Sequence, residues 1–171
     1  MATVFLLDTS VISAASWKYP DPNVQRFLAK AEDIRLPAGA LMEMQLGITK
    51  MCAISPLKAV KLSAWYHELT SGIIPIVDTD RDVIEVWGTL AADPRLLNLT
   101  VPRAGTRKVR GGQDLHIAAA ALVHRAVIAT LNVKDFMLIN SCYPLPGVYN
   151  PMDDTWHTRM EPLVAPDTVR V

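Results

Sequence analysis

Three acidic residues, far apart in the sequence, stand where apolar segments give way to turns or helices. Asp8 closes VFLLD and is followed at once by Thr9 and Ser10, Glu43 lies inside ALMEMQLGI at helical spacing, and Asp114 opens DLHIAAAALV after a Gly-Gly pair. An ionised carboxylate beside so much apolar surface is costly unless it is paired or holds a metal. Three of them brought together would repel one another, and a divalent cation is the usual remedy. Oxygen donors of this kind suit Mg²⁺ or Mn²⁺ and not a soft metal. Taken singly, each aspartate also reads as a helix cap, and Glu43 could face solvent on an amphipathic helix. The case for a site rests on a layout that brings all three to one place.

The order of segments supplies such a layout. TVFLL reads as a buried strand, and Asp8-Thr9-Ser10 has the residue types that cap a following helix. NVQRFLAKAED reads as an amphipathic helix, IRLPAG as a short extended piece, ALMEMQLGITKM as the helix carrying Glu43, and PLKAVKLSAWYHEL as another helix opened by Pro56. GIIPIV follows as a strand, DRDVIEVWGTLAA as a helix, residues 93 to 113 as irregular chain, Asp114 as a helix start, AVIAT as a strand and VKDF as a turn or helix start. Strands separated by helices predict parallel βαβ units in an α/β fold, a three-layer α/β/α sandwich around a central, mainly parallel sheet. Sites in such sheets form beyond the carboxyl ends of the strands. Asp8 and Asn132 stand at such ends, and Glu43 and Asp114 would reach the same place from helices. Residues 1–150 are expected to form one domain, with 151–171 as a Pro-containing tail packed on it or trailing from it.

Composition narrows the classes. Of 171 residues half are hydrophobic and a fifth charged, which excludes disorder and is enough for one real core. The apolar runs are too short to span a bilayer and the start lacks the pattern of a signal peptide, so a cytoplasmic location is the expectation. Cys52 and Cys142 have no metal-ligand spacing and are expected to be reduced, buried thiols. A formal net charge of zero gives no whole-molecule sign of a polyanionic partner. Locally, Arg103, Arg107, Lys108 and Arg110 form a basic stretch before Asp114, read either as a solvated loop or as phosphate contacts. His116 follows Asp114 by two residues on the same helix and so points away from its face, and His67, His124 and His157 lack acid or Cys partners at ligand spacing. The four tryptophans read as packing or interface residues. Neither GxxxxGK[ST] nor GxGxxG occurs, which removes support for nucleotide-dependent chemistry.

Together VFLLDTSVIS, ALMEMQLGI, VWGTLAA, DLHIAAAALVHRAVIATLNVKDF and GVYNPMDD resemble the PIN-domain ribonucleases, specifically the VapC/FitB-type toxins of toxin–antitoxin pairs, from residue 3 to residue 152. The resemblance places the family's three acids on Asp8, Glu43 and Asp114, its hydroxyl-bearing turn on Thr9 and Ser10, and its helix glycine on Gly47. The family's Thr-Arg-Asn-x-x-Asp-Phe segment falls on Thr130 to Phe136, with Leu131 in place of the common Arg. Asn132 occupies the position where many relatives carry a fourth acid, a charge that Asp135 could supply instead. A second departure is the long basic stretch that contains Arg103, Arg107, Lys108 and Arg110. The resemblance implies an endoribonuclease dependent on Mg²⁺ or Mn²⁺, with tRNA or ribosomal RNA as substrate. It also implies a VapB/FitA-like antitoxin and a homodimer, for which apolar faces near Trp65, Tyr66 and Leu69 are candidates. The rival expectations are a PIN nuclease of RNA processing that is no toxin, and a PIN-like nucleic-acid-binding module without catalysis, suggested by Asn132.

Overall fold

The run VFLL forms β1 (Val4–Leu7) in the computed structural model of the chain, which describes residues 2–100 and 113–160. Asp8 ends the strand and caps α1 (Thr9–Ala15), its carboxylate accepting from Ser10 N. Asp21 caps α2 (Pro22–Lys30), with Pro22 in the first turn, where a missing N–H costs nothing. β2 (Asp33–Pro37) runs directly into α3 (Ala38–Ile54), and Pro56 opens α4 (Pro56–Thr70). β3 (Ile76–Val77) is followed by α5 (Arg81–Ala92), capped by Asp80, then by a 3-10 turn (Pro94–Leu96) and a short α6 (Leu97–Thr100). Next come α7 (Gln113–His124), β4 (Val127–Ala129), α8 (Val133–Cys142), β5 (Gly147–Asn150) and β6 (Thr155–Arg159).

The six strands form one sheet in the order β3-β2-β1-β4-β5-β6. Every neighbouring pair is parallel except β5 with β6. From β1 the chain steps outward to β2 and β3, then returns to the other side of β1 as β4 and continues to β5. Right-handed crossovers in opposite directions put α1–α4 on one face and the later helices on the other, which is the α/β sandwich read from the segment order. The order reverses between β1 and β4, where Leu7 pairs with Ala129. The carboxyl ends of those two strands therefore diverge into a crevice. Leu6, Ile128 and Val148 are fully buried in the sheet, and α7 is buried along Leu115 to Ala121. A helix apolar all round belongs inside, and its run of alanines lets neighbouring elements approach closely. Among the described residues no helix is long and apolar enough to cross a membrane.

Three expectations need correction. GIIPIV is a strand only over Ile76 and Val77; Pro75 has no N–H for a ladder and contributes its carbonyl to Leu36 N instead, while Ile73 is 99% exposed. The segment after residue 150 is more than a tail, because Thr155–Arg159 pairs antiparallel with β5 across a tight turn that places Asp154 at φ 56°. Alternation was masked there because an edge strand faces solvent on alternate residues with polar side chains. The cysteines are free, as expected, but Cys52 lies on the solvent side of α3 and Cys142 is half-buried.

One polar cluster ties the end of α5 to the end of α8. Asp93 is buried, receives Arg95 through both guanidinium and backbone N–H groups, and accepts the Tyr143 hydroxyl at 2.9 Å. The Arg95 side-chain bond foremost, then the Arg95 N–H, and the Tyr143 hydroxyl less, hold this carboxyl well below the usual carboxylate range against the opposing pull of burial. A depressed folded-state pKa stabilises the fold above the unfolded value of about 4 and loses that contribution as pH falls below it. The thermal midpoint of Asp93→Asn is therefore expected to lie below wild type at pH 7, with the difference shrinking steadily below about pH 4. A difference that stayed constant with pH in melts followed by circular dichroism would contradict this.

Candidate functional site

Asp8 is 3% exposed at the end of β1, and the site is built around how it is held. Its backbone N–H donates to Ala129 O at 2.9 Å, which registers the end of β1 against the end of β4. The side chain directs one oxygen, Oδ2, inward. That oxygen accepts from the Ser10 hydroxyl at 2.5 Å, the Thr130 hydroxyl at 2.8 Å and, more weakly, Ser10 N at 3.4 Å. The two hydroxyls are themselves occupied: Leu131 N donates to Ser10 Oγ and Asn132 N to Thr130 Oγ1. Oδ1 makes no hydrogen bond among the described residues. A carboxylate with one oxygen fully engaged and the other open is both fixed in direction and able to bind a ligand.

Two of the other candidates are tied to its immediate neighbours, Glu43 through Thr9 and Asn132 through Thr130. Thr9, next in the chain, donates its hydroxyl to Glu43 Oε2 at 2.9 Å, which brings the middle of α3 to the start of α1. Glu43 is otherwise exposed, on the solvent-facing side of its helix, one of the two readings open for it. Asn132 precedes α8 and donates its amide to Asp135 Oδ2 at 2.9 Å, and Asp135 is 8% exposed in the first turn of that helix. An acid at position 132 would stand against the Asp135 carboxylate, and the amide turns that repulsion into a bond. Asp114 lies in the first turn of α7, half-buried, where the helix dipole favours a negative charge. Arg103, Arg107, Lys108 and Arg110 fall outside the described residues.

α3 and α7 are set against each other by a contact that the sequence did not disclose. Gly39, in the first turn of α3, has no Cβ where one would lie 2.7 Å from His116 Nδ1. His116 is buried and cannot yield, because its Nε2 is bonded to Thr79 Oγ1 at 2.9 Å; burial also holds its pKa below the ordinary imidazole value. The ring thus spaces the Glu43 helix from the Asp114 helix. Gly39→Ala is expected to cost about 1–3 kcal/mol by overpacking. A urea midpoint unchanged from wild type would show that the contact is loose.

Among the described residues no three carboxylate, imidazole or thiol groups meet, as their side chains stand, at the spacing of a shared ion. Asp8 and Glu43 take hydroxyl partners, and Asp135 accepts the Asn132 amide. The donors within reach are nonetheless all oxygen, and the open Asp8 Oδ1 suits a hard cation.

Beside Thr9 and Glu43 opens a cleft of about 360 Å³, walled by Met44, Leu46, Met51 and Trp65. Trp65, Tyr66 and Leu69, the candidates for a dimer face, are half-buried and packed on the core. The exposed large apolar residues of the α3–α4 hairpin are Met42, Leu46, Ile54, Leu57 and Val60.

A doubly wound sheet with an acid fixed at its switch point, a second on α3 tied to the adjoining Thr9, and others in the first turns of α7 and α8, is the arrangement of a PIN domain. The chain belongs to that family, whose model matches residues 5–136. It is similar to Ribonuclease VapC2 of Rickettsia felis, 25% identical over 138 residues that cover 80% of this chain and 92% of that protein. Its fold is similar to that of FitAcB from Neisseria gonorrhoeae, with a TM-score of 0.60 and 23% identity over 86% of this chain and 98% of that one. It is also similar to VapBC2 from Rickettsia felis bound to a promoter DNA fragment, with a TM-score of 0.57 and 24% identity over 79% of this chain and 92% of that one.

Proposed function

We propose that the chain is a divalent-metal-dependent endoribonuclease, the toxin of a VapBC-type toxin–antitoxin pair, which inhibits translation by cutting tRNA or ribosomal RNA. The observation that carries this reading is Asp8, its Oδ2 held by Ser10 and Thr130 and its Oδ1 open at the switch point. Asp8, Glu43 and Asp114 would hold Mg²⁺ or Mn²⁺. Bound there, the cation would supply a lowered water pKa and charge stabilisation on the phosphate. Ser10 and Thr130 keep Asp8 from turning, and Thr9 keeps Glu43 facing it. Asp135, steadied by Asn132, orients the attacking water for in-line displacement. Cleavage leaves a 5′-phosphate and a 3′-hydroxyl and requires no 2′-hydroxyl nucleophile. Unpaired loops of structured RNA are the fitting substrates, since their bases can splay outward.

The partner reading has two supports. Among the relatives, VapC2 is named a ribonuclease and VapBC2 is seen bound to promoter DNA. In this chain, the cleft that Glu43 lines has an apolar wall of Met44, Leu46, Ile48, Met51 and Trp65, with Thr9, Ser13, Ser16 and Lys50 as its other polar groups. A VapB/FitA-like antitoxin would lay an apolar segment in that cleft and bring Arg or Lys to the carboxylates, competing with the cation. Homodimerisation through Ile54, Leu57 and Val60 belongs to the same reading.

Incubation of total RNA with purified, antitoxin-free protein tests the proposal. Discrete fragments are expected with Mn²⁺ and none with EDTA. A folded sample that cuts no RNA with Mn²⁺ would favour a binding module, the role that Asn132 suggests. Growth arrest on expression, relieved by the adjacent open reading frame, separates a toxin from an RNA-processing nuclease.

A further inference from the structure

On the α1–α4 face of the sheet, α2 and the β5–β6 hairpin leave between them a pocket of about 270 Å³. Four aromatic rings line it. The Phe5 and Phe27 centroids are 5.1 Å apart, Phe27 and Tyr149 5.3 Å, and Tyr149 and Trp156 5.1 Å. Phe27 and Tyr149 are buried, whereas Phe5 and Trp156 are half-buried. At the rim stand Arg26 and Lys30, one helical turn apart on α2, both exposed and neither in an ion pair among the described residues. The acid in the lining, Asp154, is engaged by the Tyr149 hydroxyl at 2.6 Å.

An aromatic well with two free cations at its rim is complementary to a ligand that is planar and apolar in one part and anionic in the other. An apolar peptide side chain would fill the well and leave the cations without partners. A nucleotide satisfies both. The pocket also lies in line with the acid site: Thr130 N donates to Tyr149 O at 2.9 Å, and the Thr130 hydroxyl holds Asp8. Phe5, on the pocket wall, lies three residues before Asp8 along β1, about 10 Å at strand rise and within reach of neighbouring nucleotides on one strand. We infer that this pocket is a nucleotide subsite in which one base of single-stranded RNA stacks in the Phe5–Phe27–Tyr149–Trp156 well while its phosphate meets Arg26 and Lys30. The inference rests on the nuclease reading and adds the path of the strand away from the cut.

The test uses the full chain carrying Asp8→Asn, so that the strand stays intact, and a fluorescein-labelled single-stranded RNA followed by anisotropy. Trp156→Ala is expected to weaken binding roughly tenfold, with Trp156→Phe restoring most of it. The surface double variant Arg26→Glu/Lys30→Glu, which leaves the core untouched, is expected to weaken binding and lower the slope of log affinity against log salt by about 0.7, the value for one phosphate. In a scan of abasic positions, one position should weaken binding by the Asp8→Asn protein and have no further effect in the Trp156→Ala variant. Folded variants that bind as their parent does, an abasic scan without such a position, or a parent that binds no RNA would each overturn the subsite. If wild type still cuts RNA with Mn²⁺ while these variants bind unchanged, the subsite fails and the nuclease reading stands. If wild type cuts nothing, it is the nuclease reading that fails.

Discussion

Asp8→Asn is expected to remove RNA cleavage, by more than about a hundredfold, while the domain stays folded. The first half follows from charge, since outer partners of metal ligands already cost about ten- to a hundredfold when removed, and the amide takes away a ligand itself. The second half follows from the bonding of this one side chain. All of its hydrogen bonds reach a single oxygen, Oδ2, from Ser10 Oγ, Ser10 N and Thr130 Oγ1. An asparagine that places its carbonyl oxygen there keeps all three, and its NH₂ group replaces the open Oδ1. The substitution thus changes the ligand and leaves the scaffold. Gel-resolved cleavage with Mn²⁺, beside a thermal melt of the same sample, checks both halves. A folded variant cutting at the wild-type rate would remove Asp8 from the mechanism.

Thr130→Val should damage both scaffold and activity. Thr130 is fully buried, donates to Asp8 Oδ2 at 2.8 Å and accepts Asn132 N at 2.8 Å. Valine has the same shape and neither function, so a buried backbone N–H loses its acceptor and a buried carboxylate one of its donors. The expected loss is about 2–4 kcal/mol, the sum of two such penalties. Cleavage should fall roughly ten- to a hundredfold, the range for groups that orient metal ligands. Thr130→Ser keeps the hydroxyl and is expected to retain most of both. Urea unfolding and initial rates for the pair separate the hydroxyl from the methyl. Equal stability of Thr130→Val and wild type would show that the network around Asp8 is not what holds it.

The alternation of segments made the sheet legible, because short apolar runs separated by amphipathic ones have few ways to bury themselves. Asp8 was legible for the same reason: a charged residue directly after VFLL must lie at a strand end. Glu43 was marked for its apolar neighbours, yet it sits exposed and its tie is to Thr9, a hydroxyl read only as part of a turn. Thr130 counted as a supporting residue, although its side chain joins Asp8 to Asn132. Its importance lies in a contact across the sheet that local sequence does not encode. The closeness of Gly39 to His116 was invisible for the same reason, since a missing Cβ signals only once its neighbour is known. The aromatic well was hidden because Phe5, Phe27, Tyr149 and Trp156 come from four separate elements, and each alone reads as core.

The bond between Thr130 and Asp8 also sets a clock. It joins residues 122 positions apart, and β1 finds its inner neighbour, β4, only near the end of the domain. At about 5–20 residues per second of synthesis, Asp8 exists on the order of ten seconds before its partner is made. A chain still on the ribosome therefore carries the first acid without the hydroxyl that fixes it. The centre is completed late in translation, and under the proposed nuclease reading the chain can cut only from then on.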